Sequence, residues 1–232
     1  MQAAIDAKAE KPSKSIDKGA HNRYDRFKDD FGGSAMIETQ RLILRPFTEA
    51  DAQDLLEYLH KPTVNCFACM KLEDLSAAHT AAAERAQDPL YYFAITLKDS
   101  GKVIGEICAH PETSQPDGAE NMAKDTFSPC WMLNSAYQGK GYAYEAAHAY
   151  FDYLFTQHGA RRIYAYTEDY NLPSQKLCKK LGMRQEGFFR EFVSFITGED
   201  GLPLYENTLQ FAILRKEWQA APLPENPYEK TI

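Results

Sequence analysis

Gln138-Gly-Lys-Gly-Tyr-Ala143 is the stretch of this 232-residue chain whose residue types and spacing speak most directly of chemistry. The apolar run Phe127–Asn134 precedes it, and a helical pattern opens at Gly141. The first turn of a helix leaves four N–H groups without intrahelical partners. Gly139 and Gly141 let the backbone take positive φ and come close to a ligand. A ring of N–H donors at the positive end of a helix dipole suits a phosphate, and Lys140 adds a full charge. The spacing is neither G-x-G-x-x-G nor the G-x-x-x-x-G-K-[ST] of a P-loop. A tight turn that uses glycine only for packing would carry the same residues.

Other reactive residues are sparser. Cys66-Phe-Ala-Cys69 has C-x-x-C spacing, with His60 and His79 near it in sequence. A structural zinc site needs four closely spaced ligands, and the second pair is missing, so no metal is expected. No strand precedes the pair in a βαβ context, which excludes a thioredoxin-like motif. His110, His148 and His158 show no ligand spacing. Lys176, Lys179 and Lys180 share one helical segment and read as a solvated face or as partners for a phosphate.

Around the turn, strand and helix signals alternate. Arg41–Arg45 reads as a strand stopped by Pro46, and Thr48 with Asp51 as a capping-box start for a helix through Leu59. The Ala-rich residues 72–87 form a second helix, ending before Pro89. Tyr91–Leu97 and Val103–Ala109 make a hairpin around Asp99-Ser-Gly101. A polar loop over 110–126 leads to strand 127–134 and helix 141–157. Strand 162–167, helix 171–181 closed by Gly182, and strands 183–195 and 207–214 follow. This order predicts an α/β (α+β) domain with a mixed, mostly antiparallel sheet of about seven strands flanked by helices. The expected division is an extension or added segment over 1–35, a domain over 36–220 and a Pro-rich tail over 221–232.

Composition sets the outer limits. Charged residues make up 25% and hydrophobic ones 44%, as in ordinary globular domains. The net charge of −7 argues against a nucleic-acid partner. No apolar run approaches a membrane span, and the N-terminal residues lack the apolar core of a secretory signal. Five scattered cysteines fit reduced thiols in the cytoplasm.

Gln138-x-x-Gly141-x-Ala143 resembles the Q/R-x-x-G-x-G/A motif of the GNAT superfamily of CoA-dependent N-acetyltransferases. Glu38–Thr48 is similar to the opening strand of the branch that acetylates ribosomal-protein N-termini. Thr167-x-x-x-Asn171-x-x-Ser174, Leu181-Gly-Met183, Glu186-Gly187 and Glu217-Trp218 resemble the rest of that branch, so the likeness spans about residues 36–219.

The resemblance implies acetyl-CoA as cosubstrate and direct transfer to a primary amine, with a protein N-terminus favoured. The alternatives are a small amine, such as an antibiotic or polyamine, and a silent acyl-CoA-binding module. The pyrophosphate would lie on residues 138–143, comprising Gln138, Gly139, Lys140, Gly141, Tyr142 and Ala143. The pantetheine arm would run between two splayed parallel strands, pairing near Met132 and Leu133, with Asn171 and Ser174 by the thioester. A backbone N–H would polarise the acetyl carbonyl. Many members use a tyrosine acid seven residues after the Asn; here Cys178 stands there. Glu186 is then the expected base and Ser174 the expected partner of the thiolate, with Glu106 in reserve. The loops 60–72 and 196–206 would shape the acceptor pocket, where Glu199, Asp200 and Glu206 favour a cation. The resemblance leaves a homodimer open.

Overall fold

The computed structural model describes residues 35–112 and 124–220. The expected N-terminal extension up to residue 34, the centre of the 110–126 loop and the tail from residue 221 lie outside the described residues. Strands β1 (Ile37–Glu38) and β2 (Leu42–Arg45) lead to helix α1 (Ala52–Leu59), a 3₁₀ segment (Asn65–Met70) and helix α2 (Leu75–Ala86). Strands β3 (Tyr92–Leu97), β4 (Val103–Cys108), β5 (Thr126–Phe127) and β6 (Cys130–Leu133) precede helix α3 (Tyr142–Thr156). Strand β7 (Arg162–Glu168), helix α4 (Leu172–Lys180), strands β8 (Arg184–Thr197) and β9 (Pro203–Leu214), and helix α5 (Arg215–Ala220) complete the chain.

The strands form a five-stranded sheet, β1-β2-β3-β4-β6, and a four-stranded sheet, β5-β7-β9-β8. Every described pairing is antiparallel except β5 with β7, so the mixed, mostly antiparallel α/β class holds. The expected strand 127–134 is in fact two pieces, one in each sheet. Ser128 and Pro129 between them join neither ladder, and Pro129 has no N–H to give. Other differences are local. Asp74 caps α2 by accepting from the Ala77 N–H at 2.9 Å, so the Ala-rich helix starts at Leu75 and not at 72. Strand β9 begins at Pro203, four residues before the expected Asn207.

Helix α3 explains how two sheets make one domain. Its Ala146, Tyr150, Phe151 and Leu154 are fully buried in one apolar cluster. That cluster holds Leu42, Leu44, Phe93 and Ile95 of the first sheet, and also Ile163 and Phe211 of the second. On the other face, Leu55 and Leu59 of α1 and Ala78 and Ala82 of α2 pack with Phe47, Ala94 and Val103. Each large aliphatic side chain so buried is worth about 1.5–3 kcal/mol. Helix α3 therefore locks the two sheets on either side of the break at 128–129, while α1 and α2 cover the first sheet.

Candidate active site

At Phe127 the two sheets are still joined, with Thr126 opposite Arg162 and Phe127 opposite Ile163. Beyond Pro129, β6 pairs only with β4, while β7 continues against β9. The facing edges of β6 and β7 are thus left without a strand partner, and a cleft of about 1130 Å³ opens between them. Such a volume suits a cofactor together with a second substrate. One glycine sets how close β6 can come to its own neighbour. A Cβ on Gly105 would stand 2.3 Å from the Met132 carbonyl oxygen, so only glycine allows this approach.

The floor at one end of the cleft is the 138–143 turn. Gly139 and Gly141 have φ of +73° and +84°, the left-handed region that glycine tolerates, and Gly141 is the N-cap of α3. The N–H groups of Tyr142, Ala143 and Tyr144 begin the helix with no carbonyl one turn back. A Cβ added to Gly139 would meet nothing within 4 Å, so the space above the turn is open. Arg41 braces the turn from outside. It donates to the Lys140 carbonyl at 3.0 Å and to Glu145 on α3 at 2.7 Å, and its guanidinium lies 4.3 Å from the Tyr142 ring centroid. Glu145 also accepts from the Thr39 hydroxyl, which ties α3 to the β1–β2 turn.

Midway along the cleft, α4 begins. The Asn171 side-chain oxygen Oδ1 accepts from the Ser174 N–H at 3.3 Å, and its side-chain amide donates to Glu168 at 3.1 Å. Ser174 Oγ is free of capping duty and accepts from the Trp131 indole N–H at 3.2 Å. A hydroxyl held this way has its own proton available for a group in the cleft.

The far end is built from four separated segments. Cys66 and Phe67 of the 3₁₀ segment face Glu168 at the end of β7, Thr208 of β9, and Phe192 and Phe195 of β8. Phe192 is aimed by a distortion. Register shifts between Phe189 and Val193, and Glu191 inside the bulge has φ of +45°, the one positive φ outside glycine among the described residues. Such a conformation costs about 1–3 kcal/mol and persists where surroundings enforce it. The Asn207 side chain holds it by accepting from the Glu191 N–H at 3.0 Å. Phe192 then stacks beside Phe189 and Tyr166. Burial raises the Cys66 thiol pKa first, and the Glu168 carboxylate against it raises it further. The thiol therefore stays protonated.

Met132, Leu133, Gln138, Gly139, Gly141, Tyr142, Ala143, Asn171 and Ser174 all lie on the cleft wall. Lys140 does not: its ammonium turns back to the Ala136 carbonyl at 3.0 Å and lies near the Tyr137 ring. Lys176 lines the cleft, while Lys180 covers the Tyr144 ring. Glu186, the expected base, does not line the cleft. It sits outside the cleft in a clamp of Arg162 and Arg184, each at 2.5 Å, and the Arg162 hydrogen bond holds its carboxyl below the usual range. Arg162 is at the opposite end of β7 from Glu168, about 20 Å away at some 3.3 Å per residue.

Glu106, the reserve candidate, does not line the cleft either. Arg85 at 3.0 Å and the Tyr58 and Tyr92 hydroxyls at 3.0 and 2.8 Å close it off in the core. Cys178 is fully buried, its thiol pushed up to about 12 by burial, and it does not line the cleft. Glu199 and Asp200 belong to the exposed turn between β8 and β9, where Asp200 accepts from the Leu202 N–H. Glu206 is buried and bonded by Asn65 at 2.5 Å and Tyr170 at 3.1 Å. Among the described residues no cluster of His, Cys, Asp and Glu could hold a metal ion, and no helix is long and apolar enough to cross a membrane.

Glu168 was missed from the sequence. The signal was its place at the carboxyl end of a strand, where open sheets bind ligands.

Residues 41–184 match the model of the acetyltransferase (GNAT) domain. An uncharacterized N-acetyltransferase of Bacillus subtilis, YnaD, is 31% identical over 182 residues, covering 78% of this chain and 98% of YnaD. The crystal structure of a GNAT-family acetyltransferase from Bacillus anthracis superposes with a TM-score of 0.66 at 25% identity, covering 78% of this chain and 99% of that one. The ribosomal L7/L12 alpha-N-protein acetyltransferase RimL, solved in complex with coenzyme A, shares the fold with a TM-score of 0.59 at 13% identity, covering 77% of this chain and 97% of its own.

Proposed function

The chain belongs to the GNAT family of acetyltransferases, and from that premise we propose that it moves an acetyl group from acetyl-CoA directly to a primary amine, with a protein N-terminus as the favoured acceptor. The observation that carries this reading is the parting of β6 from β7 directly above the glycine turn and the start of α3. The free edge of β6 at Met132 and Leu133 offers amides and carbonyls to the amide-bearing arm of CoA. The N–H groups of residues 142–144 and the Lys176 ammonium suit its phosphates. Gly139, whose missing Cβ leaves the space above it open, fits a pyrophosphate against the backbone. Ser174, held by Trp131, is placed to give a hydrogen bond to the departing thiolate. The fold that RimL shares, solved with coenzyme A, supports the same cofactor here.

The preference for a polypeptide acceptor rests on the far rim. Phe192 and Phe195 of β8 line the cleft and stay open, at 49 and 38% exposure. Open rings on the cleft wall beyond the thioester end suit the residues that follow an N-terminus. The five free thiols support a reducing, cytoplasmic setting. A turnover screen with acetyl-CoA tests the proposal, using peptides of varied N-termini and a panel of small amines. Peptide acetylation confirms it. Turnover confined to small amines removes the N-terminal preference, and acetyl-CoA binding without turnover on any amine replaces the enzyme by a binding module.

A further inference from the structure

Buried carboxylates in this protein fall into two kinds. Asp51 and Glu106, at 6% and 3% exposure, are each paired with an arginine, Arg45 and Arg85. Glu168, at 5% exposure, has no such partner: among the described residues no lysine or arginine reaches it within 4 Å. Its donors are the neutral Asn171 amide and the protonated Cys66 thiol. The titratable groups around it are Cys66 from the 3₁₀ segment, Tyr170 from the β7–α4 turn and Glu206 from β9, none of them cationic. A buried carboxylate without a counter-charge is costly unless a cation joins it. Unlike Glu206, Glu168 lines the cleft.

A second observation points to what arrives. Thr208 stands directly opposite Glu168 on β9, so both side chains project from the same face of the sheet. Thr208 is 3% exposed and lines the cleft, and its hydroxyl has no hydrogen-bond partner. Buried hydroxyls are almost always satisfied, so an orphan beside an unpaired carboxylate marks a place where a ligand completes the set. A primary ammonium does this with three donors fanned from one nitrogen. The Asn171 side chain, which bonds Glu168, also caps the helix that carries Ser174. The carboxylate is thereby tied to the thioester end of the cleft.

We propose, building on the acetyltransferase reading, that Glu168 and Thr208 bind the acceptor as an ammonium and that Glu168 is the base that deprotonates it. Glu168 takes one ammonium proton. The amine nitrogen then bonds to the acetyl carbon as the carbon–sulfur bond breaks, and the second nitrogen proton passes to the departing sulfur through the Ser174 hydroxyl or water. Glu168 afterwards releases its proton to solvent. The acceptor is therefore recognised by its charge, and uncharged amides and alcohols are excluded.

The full chain carrying Glu168→Gln tests this, with an acceptor on which the wild type turns over. Acetyl-CoA affinity by calorimetry should stay within about twofold. The amine kcat/KM should fall by roughly 10²-fold or more, and the deficit should shrink as pH rises towards the amine's own pKa. Glu168→Asp, which keeps the charge but retracts it, should recover part of the activity, and Thr208→Val should lose about three- to tenfold in kcat/KM, the worth of one hydrogen bond. Thermal melting of each variant guards against a folding defect. Wild-type kcat/KM in Glu168→Gln overturns the proposal while leaving the acetyltransferase reading intact. A wild-type protein that fails to bind acetyl-CoA overturns that reading, and the proposal with it.

Discussion

The two ends of the cleft are made in different ways. The proposed cofactor end comes mostly from one continuous stretch, β6 through the first turn of α3, and it presents backbone: unpaired N–H groups, two left-handed glycines and a free strand edge. The proposed acceptor end is gathered from the 3₁₀ segment, the end of β7, the bulge of β8 and the middle of β9, and it presents side chains: one carboxylate, one hydroxyl and several rings. A ligand bound through backbone places few demands on residue identity beyond glycine. A ligand bound through side chains can be changed by substituting them while the scaffold stays as it is.

This contrast predicts that variants separate cleanly. Gly141→Val puts a β-branched side chain where φ is +84°, and it should reduce acetyl-CoA affinity by about 10- to 100-fold, the worth of one or two charge-assisted hydrogen bonds. Gly105→Ala also attacks the cofactor end, by pushing the new Cβ into the Met132 carbonyl and the Leu133 Cα at 3.0 Å. It should cost about 1–3 kcal/mol in chemical denaturation and displace β6. Ser174→Ala removes the hydroxyl between the two ends. It should lower kcat roughly tenfold, the worth of one hydrogen bond to developing charge, and leave the fold unchanged. Activity kept in Ser174→Ala would assign thiolate protonation to water.

The smallest effect belongs to Glu186→Gln. Arg162 holds the Glu186 pKa below its ordinary value of 4.5. Its contribution to stability is thus present above that value and is lost as pH falls through the lower folded value. The side chain is partly exposed, so the loss at neutral pH should stay under about 1 kcal/mol, with no change in turnover. A drop in kcat of tenfold or more in this variant would return the base to Glu186.

The same contrast explains what could be read without coordinates. The glycine turn, helix α3 and the Asn171–Ser174 start of α4 are local: a few adjacent residues determine them, and their spacing is visible in the chain. The break at Ser128–Pro129 was half legible, since proline marks it but only the sheets show that its two sides diverge. The choice among glutamates was not legible. Glu106, Glu168 and Glu186 all lie on strands, and what separates them is the cation each one meets, Arg85 from α2, none, and Arg162 with Arg184. Those partners are up to 24 residues away in sequence and are set by register, not by motif. Lys140 shows the limit within the motif itself, because the Ala136 carbonyl captures its ammonium.

The claim that the cleft above the 138–143 turn is the cofactor site is tested most directly by calorimetric titration of acetyl-CoA into the wild type and Gly141→Val, with melting temperatures recorded for both. The account predicts one acetyl-CoA per wild-type chain and an affinity at least tenfold weaker in a Gly141→Val protein that still melts cooperatively. Equal affinity in the two folded proteins would contradict it and place the cofactor elsewhere.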